Sequence, residues 1–323
     1  DVAVPSRAPA YYHRGLAHSD LGDLDAAVAD YTRAIDRLPE GPAGGPARAT
    51  ICSERGLALW QLGNPQAAME DYDQAIAYCP SDATVYASRG RALLDLGEME
   101  SAVADFGQSI ALDPEYPLAY IDRGQALHEQ GEQDAAVADY TRAIDRLPEG
   151  PAGGPARATV CSERGIALWQ LGSPQAAMED FDQAIAFYPN DATVYASRGR
   201  ALFDLGEPET AVADFDQSIS LDPEYPLAYI DRGQALHEQG EQDAAVADYT
   251  RASELLAAAE LDPGGTADLL LRRGLASADM GKLRAAVDDY TQALALDDER
   301  VTLYYQRAQA LRELGELTAA VDD

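Results

Sequence analysis

Arg-Gly dipeptides recur along this chain at steps of 34 or 41 residues, and that period restricts its possible folds more than any other feature. The steps run 41, 34, 34, 41, 34, 34, 41 and 34, which gives nine units in groups of three, with 109 residues per full group. A fixed period in this range is typical of one array of repeated supersecondary units. The glycine, or in the last unit the alanine, anchors each unit; the anchors are Gly15, Gly56, Gly90, Gly124, Gly165, Gly199, Gly233, Gly274 and Ala308.

Each unit has the pattern of two helices separated by a glycine. In the third unit Arg89, Gly90 and Leu93 lie on one helical face, and Gly97 then interrupts the pattern. Every unit has a glycine seven residues after its anchor, and eight units have Tyr or Phe sixteen residues after it. Pro114 ends the second helix of this unit, because proline lacks the N–H and clashes with the preceding turn. The sequence therefore predicts a closely packed helix pair in every unit.

This pattern resembles the tetratricopeptide repeat family, whose unit is a 34-residue antiparallel helix pair. The resemblance covers residues 9–323, after an N-terminal extension of residues 1–8, and the ninth unit is cut short at Asp323. It implies an all-α fold, an α-solenoid in which antiparallel helix pairs form a right-handed superhelix. We also expect the chain to be one region of a larger protein. The Arg before the anchor glycine and the seven extra residues in every third unit depart from the family pattern.

The extra residues lie in a Pro- and Gly-rich stretch, RLPEGPAGGPARAT, that occurs twice. Residues 25–50 and 134–159 are identical, which indicates a tandem duplication of 109 residues. The stretch lacks the Lys-Ser/Thr of a phosphate-binding loop, so we predict a loop between units, with Pro46 and Pro155 in the first turn of the next helix. In the third group, residues 252–261 favour helix, and we expect a longer second helix ending at Asp262.

An Asp stands fifteen residues after each anchor, and it keeps step with the Arg before the anchor. We predict a ladder of Arg–Asp pairs, bidentate where geometry allows, that sets the register of the units. A row of acid/base or anion-binding groups is the functional alternative. The predicted pairs are Arg14–Asp30, Arg55–Asp71, Arg89–Asp105, Arg123–Asp139, Arg164–Asp180, Arg198–Asp214, Arg232–Asp248 and Arg273–Asp289.

A second face of the first helix is formed by the positions six and three before the anchor and one, four and five after it. We call this face the first-helix stripe. The family resemblance implies that it lines a concave groove, and the stripe combines apolar residues with an acid at the last position in seven of nine units. Either the stripe binds a peptide, or Trp60 and Trp169 merely fill gaps between units. The candidate groove residues are Trp60, Arg91, Leu94, Ile121, Gln125, His128, Trp169, Arg200, Phe203, Ile230, Gln234 and His237.

Charge and composition exclude several classes of function. The 56 acidic and 24 basic residues leave a net charge of −32, which disfavours nucleic acids and anionic membranes as partners. The three cysteines form no C-x-x-C motif, the histidines form no i, i+4 pair, and no catalytic constellation stands out. We therefore expect no catalytic residues, no cofactor and no metal. No long apolar segment or signal-like segment occurs, so we expect a cytoplasmic protein.

The predicted function is a non-catalytic scaffold that binds a peptide or protein segment in the groove. The acidic stripe favours a partner with basic and apolar residues. One alternative is a sensor or regulatory region of a multidomain enzyme whose catalytic domain lies outside this chain. The other is a self-assembling structural module, since self-association is possible for an array of this kind.

Overall fold

The computed structural model describes residues 7–39, 41, 43–150, 153–258 and 263–322. These residues form eighteen α-helices and no strand. The chain divides into two compact halves, residues 1–167 and residues 168–323. The helices are α1 (Ala8–Asp20), α2 (Leu24–Ile35), α3 (Gly45–Gln61), α4 (Pro65–Tyr78), α5 (Ala83–Asp95), α6 (Met99–Leu112), α7 (Pro117–Glu129), α8 (Gln133–Arg146), α9 (Gly154–Gln170), α10 (Pro174–Phe187), α11 (Ala192–Asp204), α12 (Pro208–Leu221), α13 (Pro226–Glu238), α14 (Gln242–Ala258), α15 (Pro263–Asp279), α16 (Leu283–Leu296), α17 (Val301–Glu313) and α18 (Leu317–Asp322).

Within each half, consecutive helices pack as pairs that consist of an odd-numbered first helix and an even-numbered second helix. The predicted all-α solenoid class is confirmed. The glycine after each first helix makes the reversal possible, as Gly97 shows with a φ of 77°. The N–H of Gly97 donates to the carbonyl of Leu94, and the N–H of Glu98 donates to that of Leu93. These two bonds form a Schellman motif, which satisfies the last carbonyls of α5.

The anchor glycine lies where the first helix meets the aromatic ring of the second. A Cβ atom added to Gly90 would lie 2.6 Å from Cε1 of Phe106, which is closer than real carbon atoms approach. The ring is fully buried in the pair, so any anchor side chain would separate the two helices. The same fully buried position is occupied by Tyr31, Tyr72, Phe106, Tyr140, Phe181, Phe215, Tyr249 and Tyr290.

The Pro- and Gly-rich stretch is divided between a turn and a helix. Pro46 lies in the first turn of α3, as the sequence predicts, and Arg48 ties the turn down through hydrogen bonds to the carbonyls of Pro39 and Leu38 at 3.1 and 2.8 Å. α3 has 17 residues, whereas α5 has 13. Part of the insertion therefore lengthens the first helix of the following unit.

The third group lacks the Pro- and Gly-rich stretch and has a longer second helix instead. α14 has 17 residues against 14 in α8, so the second helix is longer there as expected. It ends at Ala258, and the predicted end at Asp262 lies outside the described residues. Pro263 begins α15, which has 17 residues. Proline suits that position because a helix needs no N–H partner in its first turn.

Candidate functional site

The seven predicted Arg–Asp pairs that lie within one half of the chain are in direct hydrogen-bond contact. Arg55 Nε and Nη2 donate to the two carboxylate oxygens of Asp71 at 2.8 and 2.7 Å, a bidentate arrangement. The eighth predicted pair has Arg164 in the N-terminal half and Asp180 in the C-terminal half. The aspartates are buried, so each depends on its arginine for compensation. The other six pairs in contact are Arg14–Asp30, Arg89–Asp105, Arg123–Asp139, Arg198–Asp214, Arg232–Asp248 and Arg273–Asp289.

In four of these seven pairs the third nitrogen of the arginine reaches the second helix of the preceding unit. Nη1 of Arg89 donates to Asp73 at 2.6 Å, and Nη1 of Arg55 donates to the hydroxyl of Thr32 at 2.9 Å. Nη1 of Arg198 and of Arg232 does the same with Asp182 and Asp216 at 2.7 and 2.6 Å. One guanidinium therefore holds its own helix pair together and joins it to the pair before. Donors occupied in this way favour the structural interpretation of the ladder over an anion-binding one.

Among the aspartates of the Arg–Asp ladder, Asp30 has the clearest pKa shift. Hydrogen bonds from Arg14 lower its pKa to about 2, against the opposing effect of burial and with a further contribution from Arg33. Arg33 Nη1 donates to Asp30 Oδ1 at 2.9 Å. The charged carboxylate is thus the form that the folded first unit favours.

The first-helix stripe lies at the contacts between successive first helices, and its twelve candidate residues are all half-buried. Trp60 on α3 donates its indole N–H to Asp95 on α5 at 2.5 Å. Trp169 on α9 donates to Asp204 on α11 in the same way at 2.6 Å. Asp95 and Asp204, each five residues after its anchor, are therefore bonded to the preceding unit. Each tryptophan bridges two units and keeps part of its ring accessible.

Charged pairs join further units along the stripe. Arg91 on α5 donates to Asp122 on α7 at 2.8 Å, and Arg200 on α11 donates to Asp231 on α13 at 2.5 Å. The pKa values of Asp122 and Asp231 are raised above the ordinary aspartate value. Burial raises them by more than the neighbouring guanidinium lowers them. Each arginine is thus neutralised by a carboxylate of the next unit.

The two histidines of the stripe occupy different surroundings, although they are copies of each other. His237 Nε2 lies 2.6 Å from Asp279 Oδ2, and Gln234 accepts a hydrogen bond from Arg272 at 2.5 Å. His128 Nδ1 is buried and has no hydrogen-bond partner among the described residues. Burial raises the pKa of Glu163, and His128 lowers it. Glu163 is the position that Arg272 occupies in the next copy.

The aliphatic and phenyl members of the stripe pack against the core between units. Leu94 contacts the cluster around Phe106, and Phe203 contacts the cluster around Phe215. Ile121 and Ile230 pack in the same way against their own clusters. These four side chains therefore belong to the core packing between units as well as to the candidate binding surface.

A cavity of about 150 Å³ opens on the stripe in the C-terminal half. Trp169, Arg200, Phe203, Asp204, Phe215, Asp231 and Gln234 line it. The indole and phenyl rings give it apolar walls, and Asp204 places a carboxylate at its edge. The cavity therefore offers apolar walls to the stem of an amphipathic side chain and a carboxylate to its polar end.

Asp122, Asp231 and Arg272 lie outside the stripe but bond to its residues, and the sequence did not predict them as part of the site. Each lies two residues before its anchor and bonds to the residue one after the preceding anchor. A signal for two of them was present, since an Arg and an Asp recur 31 residues apart in both copies. That spacing indicates an Arg–Asp contact only when the packing of successive first helices is already known.

The described residues contain no group of His, Cys, Asp and Glu side chains arranged to hold a metal ion. Burial raises the pKa of Cys52 to about 11, so its thiol stays protonated and unreactive. Within the same described part of the chain, every helix is too short or too polar to cross a bilayer.

Family models match most of the chain. A model described as a TPR repeat matches residues 56–97, 90–131 and 199–240. Models described as a tetratricopeptide repeat match residues 8–40, 271–323, 118–148, 158–191 and 227–255. No curated protein matches the chain.

Solved structures share the fold at low sequence identity. A chain of the APC/C hetero-tetramer Cut9-Hcn1 is 18% identical over 89% of this chain and 52% of its own, with a TM-score of 0.62. PilW, a type IV pilus biogenesis factor, is 20% identical over 68% of this chain and 96% of its own, with a TM-score of 0.60. A tetratricopeptide repeat protein from Parabacteroides merdae is 20% identical over 77% of this chain and 93% of its own, with a TM-score of 0.54. This chain spans about half the length of the Cut9-Hcn1 chain that it matches.

Proposed function

Because the chain belongs to the tetratricopeptide repeat family, we propose that it is a non-catalytic scaffold whose first-helix stripe binds a peptide or protein segment. Repeats of this family are generally protein-interaction modules without catalytic activity. The cavity between Trp169 and Phe203 is the observation that carries the proposal. Interfaces obtain most of their binding energy from such half-buried aromatic anchors.

The charge of the stripe selects the partner. Asp95 and Asp204 are exposed next to the two tryptophans, whereas Arg91 and Arg200 are already neutralised by carboxylates of the next unit. The remaining field is negative, as is the net charge of −32 for the whole chain. A segment that alternates basic and apolar residues is complementary to this surface.

The proposal is tested with a positional-scanning library of nine-residue peptides probed with labelled protein. We expect enrichment of Arg or Lys together with Leu, Met or aromatic residues, and loss of that profile in the double variant Trp60→Ala/Trp169→Ala. An unchanged profile in this variant, with the helical circular dichroism intact, would sink the proposal.

Tyr78→Ala/Phe187→Ala is the matched control. These aromatic residues occupy the same position in the two copies, lie on the second helices α4 and α10, and are 39% and 47% exposed. We expect the control variant to keep the wild-type binding profile. Light scattering distinguishes the scaffold from the self-assembling module. The measured molar mass of a self-assembling module increases with protein concentration, whereas that of the proposed scaffold stays constant.

A further inference from the structure

Each compact half of the chain contains one copy of the same side-chain constellation. The indole-to-carboxylate hydrogen bond measures 2.5 Å for Trp60–Asp95 and 2.6 Å for Trp169–Asp204. An Arg–Asp pair lies beside it in both halves. The first copy consists of Trp60, Arg91, Leu94, Asp95, Asp122 and Gln125, and the second of Trp169, Arg200, Phe203, Asp204, Asp231 and Gln234.

We propose that these constellations are two equivalent recognition sites for a basic side chain, so that the chain binds two copies of the same peptide segment. The inference rests on the proposed function. It goes beyond that function in the number of sites, in their boundaries and in the side chain that each one takes.

The carboxylate at the edge of each site has one oxygen available. Oδ2 of Asp204 accepts the hydrogen bond from Trp169, and no residue in the described part of the chain donates to its Oδ1. The corresponding Oδ1 of Asp95 is equally without a donor among the described residues. A guanidinium or ammonium group from a partner can therefore bond to Oδ1 without displacing the tryptophan.

The walls of the site fit the stem of the same basic side chain. The indole of Trp169 and the ring of Phe203 flank the cavity, where a methylene stem can pack and a cation can lie over an aromatic face. The volume of about 150 Å³ corresponds to one side chain, since an engineered cavity of roughly 150 Å³ accepts a single benzene molecule. The site is therefore suited to one residue of an extended segment.

Among the six residues that define each site, one differs, which is Leu94 in the first site and Phe203 in the second. Phenyl and isobutyl groups are both apolar, but only the phenyl ring attracts a cation. We therefore expect the site in the C-terminal half to bind the same ligand more tightly, by less than about tenfold.

The composition of the chain provides one reporter for each site, because Trp60 and Trp169 are its only two tryptophans. In ¹⁵N-labelled protein each indole N–H gives its own NMR signal, assigned with Trp60→Phe and Trp169→Phe. The probe is the peptide acetyl-Leu-Arg-Leu-amide, titrated to millimolar concentration. We expect both signals to shift and saturate, with Kd values within tenfold of each other.

The outcomes separate the inference from the proposed function. A shift of one indole signal alone overturns the two-site inference and leaves the proposed function standing. If neither signal moves, the recognition of basic and apolar residues by the stripe fails, and the inference fails with it.

Charge-removing variants test the chemistry of each site separately. Asp204→Asn keeps an oxygen that can accept from Trp169, and it should weaken binding at least fivefold at the Trp169 signal only. Asp95→Asn should do the same at the Trp60 signal only. Asp145→Asn removes an exposed acid from α8, away from both sites, and should change neither Kd. Equal weakening in all three variants would assign the binding to net charge and overturn the inference.

Discussion

Glycine has opposite consequences at two helical positions of neighbouring units. At the anchor Gly124, an added Cβ would lie 2.7 Å from Cε1 of Tyr140. At Gly107 the nearest atom would be Nη1 of Arg123, at 3.6 Å, which is an ordinary contact. The anchor glycine is therefore required by packing, whereas Gly107 weakens its helix without compensation.

The same substitution should consequently have opposite effects at these two positions. We expect Gly124→Ala to destabilise the protein by about 1–3 kcal/mol, because overpacking outweighs the gain in helix propensity. Gly107→Ala should stabilise it by up to about 1 kcal/mol. Urea unfolding followed by circular dichroism measures both shifts, and shifts of the same sign would refute the packing argument.

The pKa of Asp30, about 2 in the folded protein, leads to a prediction about pH. A depressed carboxyl pKa means that the Arg14–Asp30 contact stabilises the fold fully above about pH 4 and loses its contribution as the pH falls towards 2. In Arg14→Gln the midpoint of the Asp30 carboxyl titration, followed by ¹³C NMR, should rise towards the ordinary value. Arg7→Gln removes an equal charge before α1 and should leave the midpoint unchanged; an equal rise would contradict a local cause.

At the scale of the helix pair, the buried aromatic ring contributes through its shape. Tyr140 on α8 packs against the anchor of α7, and its hydroxyl is buried without a hydrogen-bond partner among the described residues. Phe occupies the same position in the units of Gly90, Gly165 and Gly199. The hydroxyl is therefore dispensable for packing the pair, and burying it unpaired carries a cost.

We accordingly expect Tyr140→Phe to keep or raise the unfolding midpoint. Tyr140→Ala, which removes the ring, should cost about 3–5 kcal/mol. Thermal and urea unfolding of the two variants provide the comparison. A loss in Tyr140→Phe comparable with that of Tyr140→Ala would show that the hydroxyl has a partner in solution.

The lengths of the helices illustrate what a pattern can predict about an element. Gly97 and its equivalents mark the end of every first helix, because a left-handed residue is needed there whatever the surroundings. The division of the seven extra residues between a turn and the start of α3 could not be predicted in the same way. It depends on Arg48, which holds the turn through the carbonyls of Leu38 and Pro39.

For the whole molecule, the net charge of −32 is the dominant long-range term. Self-repulsion of this size opposes the folded state and is screened by salt, since the Debye length falls from roughly 30 Å at 0.01 M to about 10 Å at 0.1 M. The Arg–Asp pairs are in direct contact and partly buried, so salt weakens them less.

We therefore expect the Tm to rise by several degrees between 0.01 and 0.3 M NaCl. KCl should have the same effect if screening is the cause, and an uncharged solute at equal osmolality should have little. A Tm that falls with salt would show that attractive ion pairs outweigh the repulsion.

The sequence by itself determined the repeat, the helix pairs and the family, because the turn glycines recur in nine units and the buried aromatics in eight, at a fixed period. Most residues of the candidate surface could also be predicted, since the stripe follows from helical spacing. Only the tertiary structure decided how that surface is connected. Trp60 bonds to Asp95 and Arg91 to Asp122, each across a junction between units. Such contacts depend on the offset between stacked helices, and that offset arises from packing along the array, which no single unit encodes.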